Sequence, residues 1–272
     1  MTLLKNVLKK PVAAIFRALG YDVHPSGQYV PYRNFLNLTQ AYERRLNEAG
    51  GLIAASDVRP KLLARLIGTP PAEAYFILEA LARTRDIAGD VCEFGVAQGE
   101  TSALIASEIL TGGKRFHLFD SFEGLPKPTA KDQLKDDLFS LGSMEAYAGT
   151  MASPEALVRA RLGAVAFPPA RFVIHKGFVE QVFARGQGLP NRVSFAYVDF
   201  DFYNPIKETL AFLHRIMPAG GVIIVDDYDF FSTGAKTSVD EFLQAMNAAS
   251  PVYACEIPDT RYGHFVILTK KA

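Results

Sequence analysis

SFAYVDFDFYNPIKETLAFLHRIMPAGGVIIVDD, residues Ser194–Asp227, decides how the rest of the chain reads. Two short apolar runs, rich in aromatic and β-branched residues, each stop in carboxylates: Asp199 and Asp201 close the first, Asp226 and Asp227 the second. A parallel strand buried on both faces reads this way where it emerges at its carboxyl end. Between the runs, Ile206, Leu210, Leu213 and Met217 recur at helical spacing. Pro205 suits a first turn, and Pro218-Ala219-Gly220-Gly221 stops the helix. Strand, helix, strand is a βαβ unit, whose right-handed crossover makes the strands parallel and brings both acid clusters to one edge of the sheet. Open α/β sheets bind their ligands at that edge. Oxygen donors converging without His or Cys suit a hard divalent cation, Mg²⁺ ahead of Ca²⁺ or Mn²⁺, and argue against zinc. Any one of these aspartates would serve equally as a cap or turn former, but two clusters at consecutive strand ends point to a site.

Upstream, Asp90–Gly95 is an earlier strand that runs into Glu93-Phe94-Gly95-Val96-Ala97-Gln98-Gly99-Glu100-Thr101-Ser102 and then a helix, Ala103 to Leu110. Glycines at such a corner let a ligand approach the backbone, and the helix start offers free amides. The dinucleotide fingerprint G-x-G-x-x-G is not met, since Ala97 and Glu100 stand where its second and third glycines belong. The form E-x-G-x-x-x-G instead resembles the first motif of S-adenosylmethionine (SAM) methyltransferases. A second strand, Arg115 to Phe119, ends in Asp120, an acid placed to accept both hydroxyls of a ribose or to cap the next turn. Thr129 to Ala170 is a long polar insertion with one expected helix, Pro154 to Leu162, and reads as a lid or binding loop. Its Asp132, Asp136 and Asp137 read as a solvated face. A third strand, Arg171 to His175, leads into Gly177 and Phe178, and His175 reads as a structural hydrogen-bonder rather than a catalyst. Beyond the central unit come a Gly234-Ala235-Lys236 turn, a helix from Thr237 to Asn247, and two apolar runs, Val252 to Ile257 and His264 to Thr269, that pair as an antiparallel hairpin.

The 272 residues are 49% hydrophobic, enough for one large domain, and Lys plus Arg balance Asp plus Glu at 29 each, which removes the case for a nucleic-acid or polyanion partner. Cys92 and Cys255 sit in apolar runs without metal spacing, as small core residues of a reduced, cytoplasmic protein would. No run approaches the roughly 20 apolar residues of a membrane span. Residues 3–19 have a weak amphipathic pattern broken at Pro11, suited to packing on the body or a second subunit, or to a peripheral membrane contact. Thr39 to Ala49 reads as helix. From Arg59 the pattern becomes regular: a stripe of Leu62, Leu63, Leu66 and Ile67 ended by Gly68, then a helix capped by Thr69, with Pro70 first, running to about Asp86.

Five parallel strands followed by an antiparallel hairpin, with helices on both faces, are the layout of the class I SAM-methyltransferase fold, a Rossmann-like α/β sheet. EFGVAQGETS, FDSFEGLPKP, VDFDFY, VDDY and GAKTSVDEF, in this order over roughly Arg59 to Lys270, resemble the macrocin O-methyltransferase family, which methylates sugar hydroxyls of antibiotics with SAM and Mg²⁺. The resemblance implies a SAM pocket shaped by Glu93, Gly95, Gly99, Thr101, Ser102 and Ser121, with Asp120 at the ribose and Gly177 and Phe178 beside the adenine. It implies a metal held by Asp199, Asp226 and Asp227, with Asp201 as general base. Some members use a lid histidine as base; Thr129 to Ala170 contains none, which puts that role on Asp201. The expected division is an extension, residues 1–58, making acceptor or oligomer contacts, and a methyltransferase domain, 59–272, with the lid at about 129–170. The expected acceptor is a glycoside or surface glycan. A nicotinamide-dependent sugar oxidoreductase would need a pyrophosphate-binding glycine pattern and a Tyr-Lys or Cys pair, and a phosphotransferase a phosphate loop or basic clamp.

Overall fold

Each of the five apolar runs forms a strand: β1 (Asp90–Phe94), β2 (Phe116–Asp120), β3 (Phe172–Lys176), β4 (Val193–Val198) and β5 (Val222–Val225). They pair in parallel, and β6 (Tyr253–Glu256) and β7 (Val266–Lys270) close the sheet antiparallel, in the order β3-β2-β1-β4-β5-β7-β6. The computed structural model describes residues 56–272, with Gln40, Arg44 and Ile53 besides. Gln40 and Arg44 are helical; the rest of the expected Thr39–Ala49 helix and the amphipathic stretch 3–19 lie outside the described residues.

The period of two along β4 and β5 distributes the helices. Phe195, Tyr197, Val222 and Ile224 face one layer, made of α2 (Pro71–Arg83), α3 (Glu100–Glu108) and α4 (Glu155–Ala164). Ala196, Val198, Ile223 and Val225 face the other, made of α5 (Val179–Arg185), α6 (Tyr203–Ile216) and α7 (Thr233–Met246). Ile206, Leu210 and Leu213, the apolar stripe of the crossover helix, are fully buried against the sheet. Truncating one to alanine would cost about 2–5 kcal/mol. A short α1 (Arg59–Leu63) lies outside, its Leu62 packed against α2 and α3 and Arg59 paired with Glu108 at 2.7 Å.

Several helix ends depart from their sequence reading. The stripe through Ile67 stops being helical at Leu63, and α2 starts at Pro71, with Pro70 in the cap position, because Thr69 turns its hydroxyl to Thr101 at 2.8 Å instead of capping. α7 starts four residues before the expected Thr237. Ser232 caps it by accepting from Gly234 N at 3.0 Å, so the glycine read as a turn is helical. A Cβ on Gly234 would fall 1.9 Å from Asp132 Oδ1, and glycine is there to let the insertion approach.

That insertion is pinned at both ends. Asp132 is buried, not solvated: it accepts from Thr129 N and from Tyr203 N, each at 2.7 Å, and so caps α6 from outside the helix. Leu134 bridges to Ser232, and Met144 and Tyr147 pack with Phe202 and Phe231. Asp137 accepts from Tyr147 Oη at 2.7 Å, and of Asp132, Asp136 and Asp137 only Asp136 fits the solvated reading. At the far end, α4 sends Val158 and Leu162 into the core and Arg161 to the carbonyl of Gln98 and the carboxylate of Glu100.

Candidate active site at the carboxyl edge of the sheet

β1, β4 and β5 end level, with Phe94 beside Val198 and Val198 beside Val225. The residues after them therefore meet at one edge. Asp199 N donates to Phe94 O at 2.7 Å, and Asp226 N to Val198 O at 2.8 Å, carrying the ladder one residue further.

Strict alternation would send Asp201 away from Asp199. The chain turns instead: Asp201 has φ +59°, and Phe202 N donates to Phe200 O across it at 2.5 Å. Such a three-residue turn is strained for a non-glycine residue, and strain of this kind collects at functional sites. Ser232 holds it from the other side, its hydroxyl donating to Asp201 O at 2.8 Å. Asp227 is also left-handed, at φ +55°. As a result, carboxylate oxygens of Asp199, Asp201 and Asp227 all lie within 4.8 Å of one another.

Asp226 is oriented differently. Its Oδ2 accepts from Tyr197 Oη at 2.5 Å and its Oδ1 from Asp227 N at 2.8 Å, and it is not among the three whose oxygens converge. Burial raises the pKa of all four acids, and mutual repulsion adds to it for Asp199, Asp201 and Asp226, the last reaching about 7. The set of oxygens, with repulsion that a dication would cancel, fits Mg²⁺ and offers no soft donor.

The glycine turn lies against this cluster. Gly95 has φ +83°, and a Cβ there would come within 1.8 Å of Asp199 O, so the turn and the acid edge touch backbone to backbone. Asp120 ties the turn to β2, accepting from Val96 N at 2.7 Å, Ala97 N at 2.9 Å and Phe122 N at 2.6 Å. Much of the acceptor capacity expected to face a ribose is thereby spent on the turn. Glu93 and Ser102 shape the turn from within: both are buried, Ser102 Oγ donates to Glu93 at 2.5 Å, and burial pushes the Glu93 carboxyl up to about 8. Thr101 is held by Thr69, and Gly99, at φ +83°, begins α3 under Val158. Ser121 spans its own turn, donating to Gly124 O at 3.1 Å. Gly177, at φ +127°, donates to Asp120 O, and Phe178 opens α5 facing Leu125, Pro126 and Lys127 across an open depression.

His175 is not part of this site. It lies three strands from β4, bonded through Nε2 to His117 Nδ1 at 3.0 Å, whose Nε2 meets Asp90 at 3.3 Å, and it stacks on Phe119 at 4.3 Å. Burial, with His117 and Arg115 nearby, pushes its pKa down to about 4. Two residues that sequence reading missed lie against Asp226: Tyr197, hidden in an apolar strand, and Glu73, in the first turn of α2. Glu73 is buried, with burial and then Asp226 raising its pKa. The signal for both was a polar group at a core-facing position of an otherwise apolar period.

A family model described as macrocin-O-methyltransferase (TylF) matches residues 28–260. No curated protein matches the sequence. Among solved structures, CalS11, a calicheamicin methyltransferase, is similar with TM-score 0.58 at 19% identity, over 91% of this chain and 94% of its own. The O-methyltransferase NovP is similar with TM-score 0.56 at 20% identity, over 71% and 78%. An O-methyltransferase from Bacillus cereus in complex with SAH gives 0.50 at 14%, over 86% and 100%. At these identities the likeness is one of fold.

Proposed function

Because the chain belongs to the macrocin O-methyltransferase family and so is a SAM-dependent O-methyltransferase, we propose that it methylates a sugar hydroxyl of a glycosylated natural product or surface glycan in a Mg²⁺-dependent reaction. The observation that carries this reading is the convergence of Asp199, Asp201 and Asp227 within 4.8 Å, against the glycine turn. CalS11 is described as a TDP-rhamnose 3'-O-methyltransferase, which favours a sugar acceptor here.

Asp199, Asp226 and Asp227 would hold the metal, and bound Mg²⁺ would lower the pKa of an acceptor hydroxyl, otherwise a poor nucleophile at neutral pH. Asp201, turned into the cluster by its left-handed backbone, accepts the hydroxyl proton. The glycine turn, braced by Asp120 and by Glu93 with Ser102, gives the methionine and ribose of SAM a rigid backbone surface, with Ser121 lining the pocket and Gly177 and Phe178 toward the adenine. The contact of Gly95 with Asp199 O fixes donor and acceptor sites relative to each other, which in-line transfer requires. We further assign residues 1–58 to acceptor or subunit contacts, 129–170 to a lid, and the protein to the cytoplasm; among the described residues no helix is long and apolar enough to cross a membrane.

The test is transfer of labelled methyl from SAM to a panel of glycosides, with Mg²⁺ and with chelator. Label on a sugar oxygen that chelator abolishes and Mg²⁺ restores is expected. Full transfer in chelator, or transfer to non-sugar hydroxyls alone, refutes the reading.

A further inference from the structure

Glu73 has no task in the reaction described above. It stands in the first turn of α2 with no exposed surface; no N–H or hydroxyl among the described residues donates to it, and the carboxyl it meets, that of Asp226, is close enough to share a proton with it. An orphaned carboxyl is among the costliest groups a fold can bury. Its carboxyl faces Asp226, and Asp199 and Asp227 also act on it electrostatically. Tyr197, the hydroxyl of this layer, already donates to Asp226. On the remaining side the turn after Asp259 closes over it, so tightly that a Cβ at Gly263 would lie 2.9 Å from Glu73 Oε2. What meets Glu73 is therefore more acid and the packed turn. The partner that this arrangement lacks is a positive charge.

Resting on the metal reading above, we propose that Glu73 is a further carboxylate of the cation site, lying beneath Asp226 and adding its charge to the set that retains a divalent ion. Glu73 is outside the strand ends that sequence motifs mark, and it enters the site from the helix that precedes β1. Complete burial among other acids gives the proposal a two-part signature. Exchanging the carboxyl for an amide, which can donate to Asp226 without a shared proton, should relieve the metal-free protein while weakening its hold on the ion.

The experiment is Mn²⁺ binding by calorimetry on the full-length protein without SAM or acceptor, alongside Tm with and without Mn²⁺, for wild type and Glu73→Gln. We expect the Tm without metal to rise in Glu73→Gln, the Kd for Mn²⁺ to weaken at least tenfold, and the metal-dependent gain in Tm to shrink. An unchanged Kd overturns the proposal and leaves the metal reading standing, whether the metal-free Tm rises or falls. Absence of Mn²⁺ binding by wild type overturns the metal reading itself, and the proposal with it. If Glu73→Gln does not fold, Glu73→Met, similar in length and apolar, is read by the same criteria.

Discussion

Replacing His175 with glutamine should remove a stability loss that the wild-type protein suffers in mild acid. His175 is 6% exposed, its Nε2 is bonded to His117 Nδ1, and the chain of partners continues to Asp90, with Arg115 adding positive charge nearby. The ring titrates near 4 in the folded protein against 6.5 for the free side chain. The unfolded chain therefore binds a proton that the folded one refuses throughout that interval. By linkage, stability falls as pH drops below 6.5 and the loss is complete below about 4. At about 1.4 kcal/mol per pH unit this gap is worth at most about 3 kcal/mol. The buried acids work the other way. Asp226, near 7, and Glu93, near 8, hold protons in the folded state that the unfolded chain has released, so they add stability as pH falls through the same region. The wild-type curve alone mixes the two, and the difference between proteins isolates the histidine. Urea unfolding at several pH values from 7.5 to 4.5 should show wild type losing about 2–3 kcal/mol relative to His175→Gln. Curves that stay parallel would refute the reasoning, because they would mean that the His175 proton is bound equally in both states.

Asp120→Ala removes the acceptor of three backbone N–H groups, and equilibrium dialysis should show SAM binding weakened by about 1.5–3 kcal/mol; unchanged affinity in a folded variant would exclude Asp120 from the pocket. Asp201→Asn should lower the single-turnover rate of methyl transfer by about 10²–10⁴ with little change in SAM or Mg²⁺ affinity, while Asp226→Asn and Asp227→Asn should lose metal affinity first. Mg²⁺ titration separates the two, and loss of Mg²⁺ binding in Asp201→Asn would make Asp201 a ligand instead of the base. Gly95→Ala should not give a native protein with wild-type Tm, since its Cβ would stand 1.8 Å from Asp199 O; a variant with unchanged melting would show that the turn and the acid edge are not in contact.

The strand-helix-strand unit and its four acids were legible because periodicity and strand-end carboxylates are local signals. The arrival of both acid pairs at one edge of the sheet followed from the crossover rule. What escaped depends on contacts distant in sequence. Alternation requires a turn between Asp199 and Asp201 if both serve one site, but nothing in VDFDFY marks its left-handed form, which Ser232 stabilises from 31 residues away. Gly234 looked like a turn because its reason for being glycine, the approach of Asp132, lies in the insertion. Asp132 looked solvated because its partner, the amide of Tyr203, is 71 residues on. Thr69 was the natural cap by composition, but a hydroxyl on α3 outcompeted the helix for it.

Arg161 has a consequence for anyone who would change the acceptor by exchanging insertions between relatives. Its guanidinium grips Gln98 and Glu100, so α4 braces the glycine turn after β1 as well as belonging to the insertion. At the other end Asp132 caps α6, the helix that follows Asp201. A graft cut at the borders of the insertion would import foreign braces for both the glycine turn and the start of α6, the proposed donor pocket and base. A graft confined to residues 135–153 would leave both braces native, and that stretch carries the exposed Leu138, Phe139, Leu141 and Met151, the apolar side chains that a new acceptor would meet under the proposed lid assignment.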